Sequence, residues 1–214
     1  MAIVIVGGTG DLGFGLAYRW AKAGLEVVIG SREAAKAEKA AAELNQMAGG
    51  SHVKGMCNQD AVREGELVVL AIPDAARGGT FEALAPLLSG KMVLDVTIPL
   101  RFNPLRYEAP PEGSNAEQTQ AVLGEAAKVV CGFHTVSAAM LADPEKEIHG
   151  DVIILGNDAE SRTFVLGLAE KIGLRAFDGG PLRHARTVEG LTPMIIGMNK
   201  RYKRGHIGVC LTGI

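Results

Sequence analysis

Residues 2–13 read Ala2-Ile3-Val4-Ile5-Val6-Gly7-Gly8-Thr9-Gly10-Asp11-Leu12-Gly13, a short apolar run that enters a glycine-rich loop. Positions 8–13 spell Gly-x-Gly-x-x-Gly. That spacing is weak evidence alone. Here it follows a strand-like run and opens a helical pattern from Leu12 to Ala23, ended by Gly24. In this setting it predicts the phosphate-binding turn of a dinucleotide fold. Gly8 is expected to make the tight turn, Gly10 to let backbone approach a pyrophosphate, and Gly13 to bring helix against strand. The helix N-terminus, with its free N–H groups and partial positive charge, would then face the phosphates.

Moving outward, the next apolar run, Glu26–Ile29, ends in Gly30-Ser31-Arg32, with Lys36 one helical turn later. A chain selective for NAD usually carries an acidic residue at this strand end, to hold the ribose 2′-hydroxyl. Ser31, Arg32 and Lys36 offer a hydroxyl, a guanidinium and an ammonium instead. Arg32 can pair bidentately with a 2′-phosphate. The reading is therefore NADP(H). Glu33 has the opposite charge and falls in the first turn of the following helix, where a carboxylate suits the helix dipole.

The rhythm continues. A helix is predicted over Glu33–Met47, a weaker strand near His52–Met56, and strands at Leu67–Ile72 and Met92–Val96 with a helix, Phe81–Leu88, between them. Pro99, Pro104, Pro110 and Pro111 mark residues 101–114 as a surface loop. Beyond it come a helix over Ala116–Ala127, strands at Lys128–Phe133 and Val152–Leu155, a helix over Ala159–Ile172 and a strand at Leu174–Phe177. Gly179-Gly180-Pro181 breaks the pattern, and Leu182–Arg204 reads as helix interrupted near Thr192-Pro193. Strands apolar throughout, alternating with helices, predict an α/β fold: a Rossmann-type doubly wound, mainly parallel sheet. The expected division is a dinucleotide-binding domain over 1–180 and a C-terminal helical segment over 181–214 that completes the substrate site and a dimer contact.

Composition bounds the function. The 214 residues carry 22 basic and 24 acidic side chains, net −2, which leaves no global basic field for nucleic acid. The three cysteines, Cys57, Cys131 and Cys210, are far apart and form no metal-binding pair. No run approaches the length of a membrane span. These features point to a cytoplasmic protein of a reducing compartment that acts on small molecules, with no metal, nucleic acid or membrane partner.

In open α/β sheets, ligands lie outside the carboxyl ends of the strands. Pro73, Thr97, His134, Thr135 and Ser137 fall at such ends. Each has a plainer reading: the prolines as strand terminators, Asp95 as a loop hydrogen-bonder, His134 as a satisfied loop histidine.

Taken together, the blocks GGTGDLGFGLA (7–17), IGSR with Lys36, LAIP (70–73), FHTVSA (133–138) and GPL…VEGLTP (180–193) resemble the NADPH-dependent reductases of coenzyme F420, an 8-hydroxy-5-deazaflavin. The resemblance spans essentially the whole chain. It implies a homodimer that exchanges a hydride between C4 of the nicotinamide and C5 of the deazaflavin. It places NADP on Thr9, Gly10, Asp11, Leu12, Ser31, Arg32, Lys36 and Ala138, and the deazaflavin near His134, Val136, Ser137, Ile207 and Gly208. Ser137 stands where the family pattern has proline. The basic run Lys200-Arg201-Tyr202-Lys203-Arg204 lies outside that pattern, and reads either as an attractor for the anionic tail of the deazaflavin or as a solvated helix C-terminus.

Hydride transfer between two heterocycles needs ring alignment more than an acid or base, so His134 is expected to orient or hydrogen-bond the deazaflavin. Three rivals stay open. Tyr18–Lys22 has the spacing of a short-chain dehydrogenase dyad, but it sits in the first helix beside the cofactor loop. The other two are a reductase of another small acceptor (flavin, imine or ketone) and a non-catalytic NADP(H) sensor.

Overall fold

The computed structural model describes residues 2–214. Eight strands form one sheet: β1 (Ile3–Val6), β2 (Val27–Ser31), β3 (Val53–Cys57), β4 (Leu67–Leu70), β5 (Met92–Asp95), β8 (Lys128–Cys131), β9 (Asp151–Gly156) and β10 (Arg175–Gly180). Their spatial order is β10-β9-β8-β5-β4-β1-β2-β3. From β3 to β8 the pairings are parallel; β9 runs antiparallel to β8, and β10 follows β9. The parallel part thus has the doubly wound strand order, reversing direction between β1 and β4, which is where such sheets open a ligand crevice.

The apolar strands are unbroken because both faces are covered. Successive residues point to opposite sides of a strand. Ile3, Ile5, Ile29 and Val69 join one core with α1 (Asp11–Lys22), α2 (Ala34–Ala48) and α7 (Ala159–Glu170). Val4, Val6, Val28 and Leu70 join the other, under α3 (Asn58–Arg63), α4 (Asp74–Leu84), α5 (Asn115–Leu123) and α8 (Ala185–Arg201). The remaining helix, α6 (Ala138–Ala142), lies against α1.

Five features depart from the sequence reading. Residues 101–114 are not all loop: Leu100–Phe102 (β6) and Leu105–Tyr107 (β7) form an antiparallel hairpin around Asn103–Pro104. Helix α4 starts at Asp74 instead of Phe81, with Pro73 as its N-cap residue. Helices α3 and α6 occupy stretches with no helix expected. Helix α8 runs unbroken through Pro193. An internal proline costs a helix about 3 kcal/mol; here buried anchors flank it on both sides, Glu189 before and Ile195 after.

Candidate functional site

The loop after β1 follows from glycine geometry. Gly7, not Gly8, takes the left-handed conformation (φ +80°) that turns the chain. Gly8 is required for another reason: a Cβ there would lie 2.6 Å from Ile29 Cβ on β2. At Gly13 a Cβ would lie 2.7 Å from the Gly7 carbonyl, so the start of α1 presses directly on the loop. At Gly10 a Cβ would meet nothing closer than 3.4 Å, which leaves its outer side open for a close-approaching phosphate. Phe14 N–H donates to Gly10 O at 2.8 Å, and α1 has no side-chain N-cap. The preceding amides, Asp11 to Gly13, lie at the open helix N-terminus, which attracts anions.

Beside this loop, Ser31 and Arg32 line a groove of about 620 Å3, with Asn58 on its floor and Ala75, Ala76 and Gly79 of α4 on its far wall. Ser31 is buried and its hydroxyl accepts from Glu33 N–H at 3.4 Å; Arg32 is exposed. Lys36 and Glu33 pair at 2.6 Å on the surface, so Lys36 reaches a 2′-phosphate only by leaving Glu33. Pro73 caps α4 at the same sheet edge. An open helix N-terminus next to a groove ending in a free guanidinium fits a phosphorylated dinucleotide.

Across the edge, the loop after β8 carries His134 to Ser137. Phe133 enters it in a left-handed conformation (φ +65°) and packs edge-on against Trp20 of α1, ring centroids 6.0 Å apart. His134 is buried, and neither ring nitrogen has a hydrogen-bond partner among the described residues. Burial pushes its pKa down to about 4, against the pull of the Asp95 carboxylate; the Thr97 backbone lies near the ring without a well-formed hydrogen bond. The ring is therefore neutral at pH 7, with a donor and an acceptor to spare. An orphaned buried group of this kind is costly unless a ligand pairs with it. Thr192 of α8 donates to the His134 carbonyl at 2.8 Å. Thr135 donates to Asp151 O at 3.0 Å, and Ser137 to Gly205 O at 3.0 Å. Gly208 passes so close to the Thr135 carbonyl that a Cβ would lie 3.5 Å from it. Ile207 N–H donates to the side chain of Asn199 at 3.0 Å. The structure thus brings His134, Val136, Ser137, Ile207 and Gly208 together, with Ala138 at the start of α6. The basic side chains of residues 200–204 are exposed where α8 ends and this tail begins.

Beneath the two loops lies a polar network that the sequence did not announce. Arg77 of α4 donates to Asp95 Oδ2 (3.0 Å), Thr97 Oγ1 (2.8 Å), Asn115 O (2.6 Å) and Gln118 Oε1 (3.2 Å), and contacts Thr119. Asp95 also accepts from the Thr97 amide and hydroxyl and from Thr119. Glu189 of α8 accepts from the amides of Asn115 and Ala116 at 3.0 and 3.1 Å, capping α5. Burial first, then the Asp95 charge, pushes the Glu189 carboxyl up to about 8. Tyr107 Oη stands 3.1 Å from Glu189 Oε2 and 2.9 Å from Gly113 O. A tyrosine has one proton to give. A protonated Glu189 donates to Tyr107, which donates on to Gly113, and every group is satisfied. The hint in the sequence was Asp95 itself, a carboxylate ending an apolar strand, which demands a buried partner.

Tyr18 is fully buried in α1 and its hydroxyl has no partner among the described residues, so the Tyr18–Lys22 spacing builds no dehydrogenase dyad. No metal-holding cluster and no helix long and apolar enough to cross a membrane occur among the described residues.

A doubly wound sheet, a phosphate loop and a buried polar loop facing it define a dinucleotide-dependent oxidoreductase. Comparison with known proteins narrows the class. The family model described as NADP oxidoreductase, coenzyme F420-dependent, matches residues 2–99. An F420-dependent NADP reductase of Methanocaldococcus jannaschii is 40% identical, over 100% of this chain and 99% of its own. One from Methanothermobacter thermautotrophicus is 36% identical, over 100% and 96%. A solved structure from Arthrobacter sp. FB24, a candidate F420-dependent NADP reductase, superposes with a TM-score of 0.83 at 30% identity, covering 99% of both chains. The chain belongs to this family of F420-dependent NADP reductases.

Proposed function

We propose that this chain passes a hydride between NADP(H) and coenzyme F420 across the crevice between the phosphate loop and residues 134–137. The observation that carries this reading is the convergence of two unlike surfaces on one sheet edge: open helix amides with Arg32 on one side, a buried histidine whose ring has no hydrogen-bond partner among the described residues on the other. The dinucleotide supplies or receives the hydride at its nicotinamide. The protein's own part is to bind and align. The Gly8–Gly13 loop and the amides of Thr9, Asp11 and Leu12 hold the pyrophosphate; Ser31, Arg32 and Lys36 select the 2′-phosphate. Pro73 and Ala138 flank the nicotinamide half.

Neutral His134 hydrogen-bonds the deazaflavin, with Val136, Ser137, Ile207 and Gly208 around it. Residues 181–214 complete this side, in keeping with Thr192 and Gly205 reaching the loop from that segment. The exposed apolar side chains Met194 and Met198 on α8, with Tyr202 just past its end, support a homodimer formed through this helix. Three free cysteines fit a cytoplasmic location.

The test mixes the protein with NADPH and oxidised F420 and follows the visible band of the deazaflavin. Bleaching is expected. In the His134→Ala variant the KM for F420 rises about five- to tenfold, the worth of one neutral hydrogen bond. NADPH binding without bleaching would leave only a sensor or a reductase of another acceptor.

A further inference from the structure

Helix α1 does more than present its N-terminus to phosphate. Its C-terminal half holds both ends of the loop that faces the phosphates. On the incoming side, Trp20 packs edge-on against Phe133, the residue before His134, and is itself fixed by donating to Leu168 O at 3.0 Å. On the outgoing side stands Arg19. Its guanidinium donates to four backbone carbonyls more than 120 residues away: Leu141 O at 2.8 Å through Nε, and Met140 O (2.8 Å), Asp143 O (2.6 Å) and Lys146 O (2.9 Å) through Nη2.

These carbonyls terminate α6 and the turn after it. A helix of five residues has too few internal hydrogen bonds to persist alone, and its last carbonyls have no partners within it. Arg19 supplies the partners. The approach is close: a Cβ on Gly15, one turn earlier in α1, would lie 2.6 Å from Leu141 Cβ. The Arg19 guanidinium is steadied by the Tyr18 ring, 5.5 Å from its centroid.

We propose that Arg19 is a positioning residue for the second substrate: by clamping α6 onto the phosphate-binding helix it fixes the height of residues 134–138 above the dinucleotide. The deazaflavin face and the nicotinamide face are thereby set from one rigid rod. This rests on the placement of the deazaflavin against His134–Ser137. No planar multidentate donor other than arginine spans four carbonyls; lysine is a point charge.

The test uses the full chain with Arg19→Lys and Arg19→Met, and Gly15→Ala as an independent perturbation that wedges α6 away while favouring the helical state of α1. Arg19 lies nine residues past Gly10, about 13 Å along the axis, so the phosphate-loop and Arg32 contacts to NADPH should be spared, and only the contact of Ala138, the first residue of α6, can loosen. The expected result is a KM for F420 raised about tenfold, a KM for NADPH within twofold of wild type, and faster amide hydrogen exchange confined to residues 138–148. The Gly15→Ala variant should show the same split even if an Arg19 variant fails to fold. Unchanged exchange at 138–148 would overturn the clamp. Faster exchange with an unchanged KM for F420 would overturn the positioning role, by showing that the deazaflavin does not lie on this loop. Parallel losses in both KM values would also overturn it, marking Arg19 as a general support of the fold.

Discussion

Replacing Glu189 with glutamine should change the pH dependence of stability, because this carboxyl titrates inside the fold. Its pKa is about 8 in place of the usual 4.5. Between those values the folded chain keeps a proton that the unfolded chain has released, so stability falls as pH rises through the window. His134 acts in the opposite sense. Its pKa is about 4 in place of 6.5, so in that interval the unfolded chain takes up a proton that the folded chain refuses, and stability rises with pH.

Each unshared proton tilts stability by about 1.36 kcal/mol per pH unit. The two slopes therefore cancel from pH 4.5 to 6.5. Above 6.5 only Glu189 remains, and over about 1.5 units to pH 8 the wild-type chain loses roughly 2 kcal/mol. Glu189→Gln removes that fall. It also costs about 1–3 kcal/mol at every pH, because the amide nitrogen cannot accept from Asn115 N–H as the carboxyl oxygen does. Its curve should rise to pH 6.5 and then stay flat. Urea unfolding at half-unit steps from pH 5 to 8.5, followed by circular dichroism, reads this directly. If wild type and variant traced parallel curves above pH 6.5, the proton would not be on Glu189 and the Tyr107–Gly113 relay would be wrong.

Two further outcomes follow from charge placement. Arg32→Ala should raise the KM for NADPH about 10- to 100-fold while leaving NADH turnover unchanged, as expected for loss of a charge-assisted phosphate contact worth roughly 1.5–3 kcal/mol; steady-state kinetics with both dinucleotides decides, and equal losses would contradict the 2′-phosphate assignment. Arg77→Met leaves Asp95 buried without its cation and should destabilise the fold by about 3–5 kcal/mol, measured by thermal or urea unfolding; a loss under 1 kcal/mol would show that Asp95 is satisfied by Thr97 and Thr119 alone.

The parts legible in the sequence were those governed by local rules. A strand buried on both faces is apolar at every position, so β1, β2, β4, β5 and β8 announced themselves, and the glycine spacing marked the phosphate loop. Even there a detail escaped: the residue at positive φ is Gly7, because the turn sits one position before the motif begins. The start of α4 was hidden because Gly78 and Gly79 weaken the helical signal, although Pro73 and Asp74 form a good helix beginning. The hairpin after Pro99 was masked by prolines that occupy its turn and its exit.

Helix α6 could not be read locally at all. Its partner is Arg19, 122 residues away from Leu141, and five residues carry too little periodicity to be seen. Glu189 shares that fate: it lies in a block recognised by resemblance, but its work is capping a helix 74 residues earlier. On the site itself, sequence reasoning named the loops correctly as neighbours of one sheet edge. It did not foresee that His134 would be buried, neutral and without a side-chain partner among the described residues, since its surroundings come from distant segments: Asp95 and Thr97 lie near the ring and Thr192 of α8 holds its carbonyl.

The single tryptophan of the chain is Trp20, fully buried between the phosphate-binding helix and Phe133. Its fluorescence is therefore a one-site optical signal from inside the protein, reporting the joint between the two halves of the crevice. Any ligand that shifts residues 133–138 against α1 changes the environment of this indole, and a bound reduced nicotinamide a short way along the same helix can quench it by energy transfer. Titrating each substrate while watching this one emission separates dinucleotide binding from loop movement with no label attached.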